Sequence, residues 1–203
     1  MAEIRIGYFL EDIGHENFLL ALVERIAKDR GVPLQSMRPE VRNATGGRGK
    51  VLDELQRFLR DVRRDRVSLF HLLIVAIDGN CQGYREIRDN IREIVTRSDY
   101  PAPVICAVPN PHIERWYLAD PNAFQRVLEV RVIPNPPAYK CERKYYKRAL
   151  RAAILQAGVI APLGGVEYGA EIAEHLDLYR VGEDDAGFRH FVEDLRDSLA
   201  MIS

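Results

Sequence analysis

Short apolar runs and stripes of apolar residues at helical spacing alternate along this chain, and the alternation predicts its architecture. Ile4 to Leu10 is a β-rich run that ends at Glu11-Asp12 and predicts a first strand. Phe18, Leu22 and Ile26, with Leu19 and Val23, recur every three or four residues and stop near Gly31, which predicts a helix. Leu34 to Arg42 reads as a second strand, at an edge or irregular, because Pro39 cannot donate to a ladder. A glycine-rich loop from Ala44 to Lys50 then opens a helix whose apolar face is Val51, Leu55, Phe58, Leu59 and Val62. Leu69 to Ile77 is almost continuously apolar, as in a strand covered on both faces of a parallel sheet, and it ends at Asp78-Gly79-Asn80. Tyr84, Ile87, Ile91, Ile94 and Val95 mark a third helix, and Pro103 to Val108 a fourth strand.

The order β-α-β-α-β-α-β predicts the α/β class, with a doubly wound, mainly parallel sheet of about four strands. Beyond about residue 121 the pattern is helical with loops: Tyr145 to Gln156, Tyr168 to Leu178, and Gly187 to Met201. No repeat or low-complexity linker sets these segments apart, so they are expected to cover the same domain, with a core over about 1–120.

Composition narrows the function. The net charge of −1 rules out a chain that is basic as a whole, so any nucleic-acid affinity must come from local patches, metal ions or a partner. The N-terminus lacks the features of a signal peptide, and no apolar run nears the roughly 18 residues of a membrane span. Three well-separated cysteines, Cys81, Cys106 and Cys141, suggest a reducing compartment without a disulfide framework. The expectation is a cytoplasmic protein with no membrane partner.

Acids fall where chemistry is expected. Glu11 follows the first strand, Asp78 the third, and Glu114 comes just after the fourth. Ligands of doubly wound sheets bind outside the carboxyl ends of the strands. Carboxylates gathered there repel one another unless cations or shared protons neutralise them. Oxygen donors of this kind suit Mg²⁺ or Mn²⁺, and two such ions about 3.5–4 Å apart can stabilise both oxygens of a phosphodiester displacement.

These residues resemble the TOPRIM domain of topoisomerases, primases and overcoming-lysogenization-defect (OLD) nucleases: a Glu ending the first strand, a helix, and an Asp-x-Asp-like step after a later strand. The run His112-Ile113-Glu114-Arg115-Trp116-Tyr117-Leu118-Ala119-Asp120 is more particular. It resembles a stretch of a family of small stand-alone TOPRIM-like proteins catalogued as a domain of unknown function, and Phe188 and Phe191 with the helix after them resemble that family's ending. The resemblance covers nearly the whole chain. It implies that Glu11 binds metal or acts as general base, that Asp78 is the first acid of the pair, and that Glu114 is the later acid, with His112 two positions before it. Four positions depart from the pattern, the first being His112, which stands where the family carries a small polar residue. Asp12 stands where a glycine follows the glutamate, and Asn80 replaces the second acid, keeping a carbonyl oxygen but losing charge. The acid expected four residues after Glu11 falls at His15, with Glu16 beside it; of the two, Glu16 is favoured for its carboxylate. OLD-type sites also use a later lysine against the phosphate charge. Lys140, Lys144 and Lys147 are candidates and Lys144 is favoured.

The resemblance thus implies a Mg²⁺- or Mn²⁺-dependent nuclease. Glu11, Asp78, Glu114 and Lys144 would be catalytic, and Glu16, Asn80 and His112 would support the metal. The substrate would be nucleic acid, DNA ahead of RNA. Relatives of this type often act with an ABC-type ATPase in antiviral defence; this chain has no ATPase motif, so that partner would be a separate protein. Lys50, behind the glycines, and Lys140, Lys147 and Arg148, at helical spacing with Tyr145 and Tyr146 interleaved, could follow a nucleic-acid backbone. An ordinary flexible loop is the favoured explanation for the glycine stretch before Lys50, and a solvated helix face explains the latter set equally well. Arg57, Arg60, Arg63, Arg64 and Arg66 read as plain surface, Trp116 as a core anchor, and His71 as a satisfied residue within the buried strand. The alternatives are a catalytically degenerate TOPRIM module that binds a partner or nucleic acid and, last, a receiver-like phosphoacceptor.

Overall fold

A computed structural model describes residues 3–46, 50–65, 70–129, 138–142 and 144–202, except the side chain of residue 65. Four strands, β1 (Ile4–Leu10), β2 (Met37–Asn43), β3 (Leu72–Ala76) and β4 (Val104–Ala107), form one all-parallel sheet in the order β2-β1-β3-β4. In register, Leu10 lies opposite Asn43 on one side and Ala76 on the other.

Strand alternation divides the core in two. Ile6, Tyr8, Leu10, Leu72, Ile74, Ala76, Ile105 and Ala107 face the helix α1 (Ile13–Asp29). Phe9, Leu73, Val75, Ile77, Cys106 and Val108 face α2 (Val51–Asp65) and α3 (Tyr84–Arg97). With helices on both faces, β3 has no polar side and is buried throughout, which is why its sequence reads as an unbroken apolar run. This is the doubly wound α/β arrangement that the alternation predicts.

The chain leaves β1 for β2 on one side, then crosses to β3 on the other. The carboxyl ends of β1 and β3 therefore flank the point where the winding reverses, the usual ligand crevice of such sheets.

The later helices are α4 (Glu114–Tyr117), α5 (Pro121–Leu128), α6 (Tyr145–Gln156), α7 (Gly169–His175), α8 (Leu178–Asp184) and α9 (Ala186–Ile202). They pack on the α1 side, around Trp116. The Trp116 ring meets Phe188 edge-on at 5.1 Å and is fully buried, as a core anchor should be.

Several local expectations change. Leu69, the predicted start of the third strand, and Gly47 to Gly49 of the glycine-rich loop lie outside the described residues, as do Arg66 and Arg143. His71 is exposed rather than buried, because the strand begins one residue later, and its Nδ1 accepts the Arg5 N–H at 2.9 Å. The helix expected over Tyr168 to Leu178 is broken, since Asp177 caps a new helix by accepting from the N–H groups of Tyr179 and Arg180. The helix α5 is an addition to the sequence expectations, and Asp120 as cap with Pro121 in the first turn is its start signal. Cys81 and Cys141 are joined as a disulfide, 60 residues apart in sequence, correcting the expectation of unpaired cysteines. The fold brings the loop after β3 against the segment before α6, a juxtaposition that spacing alone could not reveal. Among the described residues no helix is long and apolar enough to cross a membrane.

Gly7 shows how tightly the sheet is covered. A Cβ there would lie 2.4 Å from the Phe70 ring. Gly7→Ala is expected to cost about 1–3 kcal/mol through overpacking, measured by urea denaturation, and to cost less in a Phe70→Leu background. Equal costs in the two backgrounds would show that the ring is not the obstacle.

Candidate metal centre at the carboxyl edge of the sheet

The site is built from residues directly after β1 and β3 and from the segment that leads from β4 into α4. The Glu11 backbone N–H continues the sheet by donating to the Ala76 carbonyl at 3.0 Å, which sets its side chain against the next turn of β3. There Glu11 Oε2 accepts the backbone N–H of Asp78 at 2.8 Å. Asp12 caps α1, its Oδ1 accepting from the N–H groups of Gly14 and His15. The cap fixes the first turn, and His15 points inward on the stripe continued by Leu19, Leu22 and Ile26.

Asp78 is the hub. Its Oδ1 accepts the Ile113 N–H at 2.9 Å and lies 3.2 Å from His15 Nε2, while its Oδ2 lies 3.0 Å from His112 Nδ1. Three segments thus meet on one carboxylate that is only 5% exposed. His15 Nδ1 is 3.0 Å from Asp12 Oδ1, and His15 Nε2, wholly buried, makes no hydrogen bond of acceptable geometry among the described residues. Ligand atoms of Glu11, His15 and Asp78 all lie within 4.8 Å of one another, so these acidic and histidine side chains could hold a metal ion. Donors around a single ion sit about 3–4 Å apart, so a small inward movement closes the set.

Glu114 starts α4 and is 2% exposed, with Oε2 buried and without a hydrogen-bond partner among the described residues. Lys147, on α6, reaches it: Nζ is 3.5 Å from Glu114 Oε1 and 3.8 Å from Asp12 Oδ2. The ammonium therefore bridges acids from two segments at the rim.

Charge is balanced by sharing. Burial pushes the Glu11 carboxyl up, and the neighbouring Asp78 charge adds to that. Burial also pushes Glu114 up, against the pull of Lys147. Asp78 is held low despite its burial, by the charge of His15 and the hydrogen bond from His112. His112 is raised, chiefly by that same bond. Burial disfavours a charge on His15, but the Asp78 charge and the Asp12 hydrogen bond overcome it, and its pKa is pushed up to about 10. The surroundings of His15 thus favour its protonated form, which offsets the charge of the neighbouring carboxylates.

The other sequence candidates fall elsewhere. The Glu16 carboxylate accepts from Asn43 Nδ2 at 2.5 Å and is not in the three-residue group. Asn80, at φ 46°, donates through Nδ2 to the Asp78 carbonyl at 3.1 Å. Lys144 precedes α6 at φ 63° with an exposed side chain, and it is Lys147, one turn on, that reaches the acids. Lys140 Nζ sits 4.9 Å from the Tyr145 ring centroid, and Arg148 pairs with Glu142. Lys50 lines a separate cavity of about 590 Å³ with Arg42 and Glu54. His15 was passed over for Glu16 on ligand charge. Extending the buried stripe of α1 back by one step, from Leu19 to residue 15, is the signal that identifies it.

The family model described as "Domain of unknown function (DUF4276)" matches residues 10–196, and the chain belongs to that family. No curated protein and no solved structure matches it.

A group whose pKa rises on folding contributes stability that is whole below its unfolded value, about 6.5 for histidine, and lost above its folded value. In chelator, the urea midpoint should therefore fall as pH rises from about 6.5 towards about 10. His15→Asn should flatten that limb relative to the unmodified chain. Identical pH profiles for the two proteins would contradict the assignment.

Proposed function

We propose that this DUF4276 protein is a metal-dependent nuclease with a TOPRIM-like acidic site, hydrolysing phosphodiester bonds of DNA or RNA with Mg²⁺ or Mn²⁺. The observation that carries the reading is the convergence of Glu11, His15 and Asp78 at the reversal point of the sheet, with buried Glu114 and half-buried Lys147 at its rim.

The roles follow from position. Glu11 and Asp78 supply carboxylate oxygens to the cation. When bound, the ion would lower the pKa of a coordinated water and offset charge on the phosphate. Glu114 has an oxygen without a hydrogen-bond partner among the described residues and a carboxyl raised by burial, which suits it to accept a proton from water. Lys147 supplies a fixed positive charge where phosphate oxygens would approach, the role the resemblance had pointed to at Lys144. His112 keeps Asp78 oriented. Lys140 and Arg148, on the same segment as Lys147, would extend the contact along the backbone of the substrate. With a net charge of −1, the chain would gain much of its affinity from a partner, for which a separate ABC-type ATPase in antiviral defence is the candidate.

One observation favours a second reading, a binding module without catalysis. Asn80 stands where a second acid would complete the pair, and its amide is turned to the Asp78 carbonyl.

Plasmid and single-stranded DNA and RNA, incubated with the chain and Mn²⁺, separate the two. The nuclease reading expects cleavage that chelator abolishes and that Asp78→Ala or Glu114→Ala lowers by about 100-fold or more, in line with the loss of a preorganised catalytic group. Lys147→Met should slow cleavage with unchanged metal binding. Cleavage surviving both acid substitutions would overturn the assignment.

A further inference from the structure

We infer that the Glu11, His15 and Asp78 group is a first-row transition-metal site in which His15 Nε2 is a direct ligand and Asp12 is the positioning residue that aims it. This rests on the metal-site part of the reading above and not on the nuclease part.

The donor set is mixed. Glu11 and Asp78 offer oxygens, as Mg²⁺ and Ca²⁺ prefer, but the third ligand atom is an imidazole nitrogen. Nitrogen donors favour the first-row series, whose affinities climb from Mn²⁺ through Co²⁺ towards Zn²⁺ and its neighbours, over magnesium, which demands near-octahedral oxygen and gives up its waters reluctantly.

The imidazole is also arranged as a ligand. His15 Nδ1 is 3.0 Å from Asp12 Oδ1, and a proton there, donated to Asp12, leaves the Nε2 lone pair directed at the two carboxylates. Metal-bound histidines commonly donate their second ring N–H to a carboxylate in this way. Asp12 is itself fixed, because the same Oδ1 caps α1 through Gly14 and His15. A Cβ on Gly14 would come within 3.1 Å of that oxygen, so glycine at this position leaves room for the capping carboxylate. Among the described residues the wholly buried His15 Nε2 makes no hydrogen bond of acceptable geometry and has only the charge contact with Asp78 Oδ1 at 3.2 Å, so a cation between the two would complete its coordination. Asp78 Oδ2 is taken by His112, and Oδ1, which accepts the Ile113 N–H with one lone pair, faces His15 Nε2 and would offer its other lone pair to the ion.

The test is electron paramagnetic resonance of Mn²⁺ added to the full chain, with pulsed detection of nitrogen coupling. The expected result is bound Mn²⁺ that Mg²⁺ displaces only in large excess, with a ¹⁴N coupling that changes to the ¹⁵N pattern when the histidines are ¹⁵N-labelled. This arm needs no substitution, so folding of a variant does not enter. The coupling should persist in His112→Ala and vanish in His15→Asp, where three oxygen donors should let Mg²⁺ compete well. Asp12→Ala should keep the coupling and weaken Mn²⁺ binding by about 10–100-fold. Bound Mn²⁺ without nitrogen coupling, or coupling lost in His112→Ala but kept in His15→Asp, would overturn the inference while leaving an oxygen-liganded nuclease site standing. Absence of any Mn²⁺ binding would overturn both. Tight Mn²⁺ binding through His15 in a chain that cuts no nucleic acid would uphold the inference and refute only the nuclease reading.

Discussion

The structure turns on one buried carboxylate. Asp78 sits at the end of the central, fully apolar strand β3, where a lone charge would cost several kcal/mol. It is tolerated because His15, His112 and the Ile113 N–H converge on its two oxygens while its own backbone N–H is spent on Glu11. Those partners come from the turns after β1 and β4. One charge thus fixes the relative placement of three segments and explains why polar residues are concentrated at an edge that apolar packing alone would have closed.

The winding of the sheet decides that this edge is usable. The strand order reverses between β1 and β3, and Glu11 and Asp78 meet at the carboxyl ends of those two strands, where ligands of such sheets usually bind. The C-terminal helices then contribute rather than merely cover. The start of α4 delivers Glu114 together with the Ile113 donor, and α6 delivers Lys147 over the rim. The Cys81–Cys141 disulfide lies between these parts, three residues past Asp78 on one side and six before Lys147 on the other. Tyr117 adds a further brace, its hydroxyl donating to the Gly14 carbonyl at 2.8 Å beneath the first turn of α1.

Much of this was legible in the sequence because it depends on period and punctuation. The unbroken run before Asp78 announced a strand covered on both sides, and acids at three strand ends announced an edge with work to do. What stayed hidden has physical reasons. Whether Glu16 or His15 turns inward depends on rotation about the α1 axis, about 100° per residue, which the Asp12 cap sets. Lys144 and Lys147 differ by nearly one turn, and only the start of α6 decides which reaches Glu114. The pairing of Cys81 with Cys141, and the exposure of His71, follow from where segments end in space rather than from spacing along the chain.

The central claim is that these side chains form one cation site. Diffraction from crystals soaked in Mn²⁺, collected to reveal anomalous scattering, addresses it most directly. A peak roughly 2.0–2.3 Å from Glu11, His15 Nε2 and Asp78 is the expected result. Saturating Mn²⁺ with no density there, and His15 still lodged between Asp12 and Asp78, would contradict it.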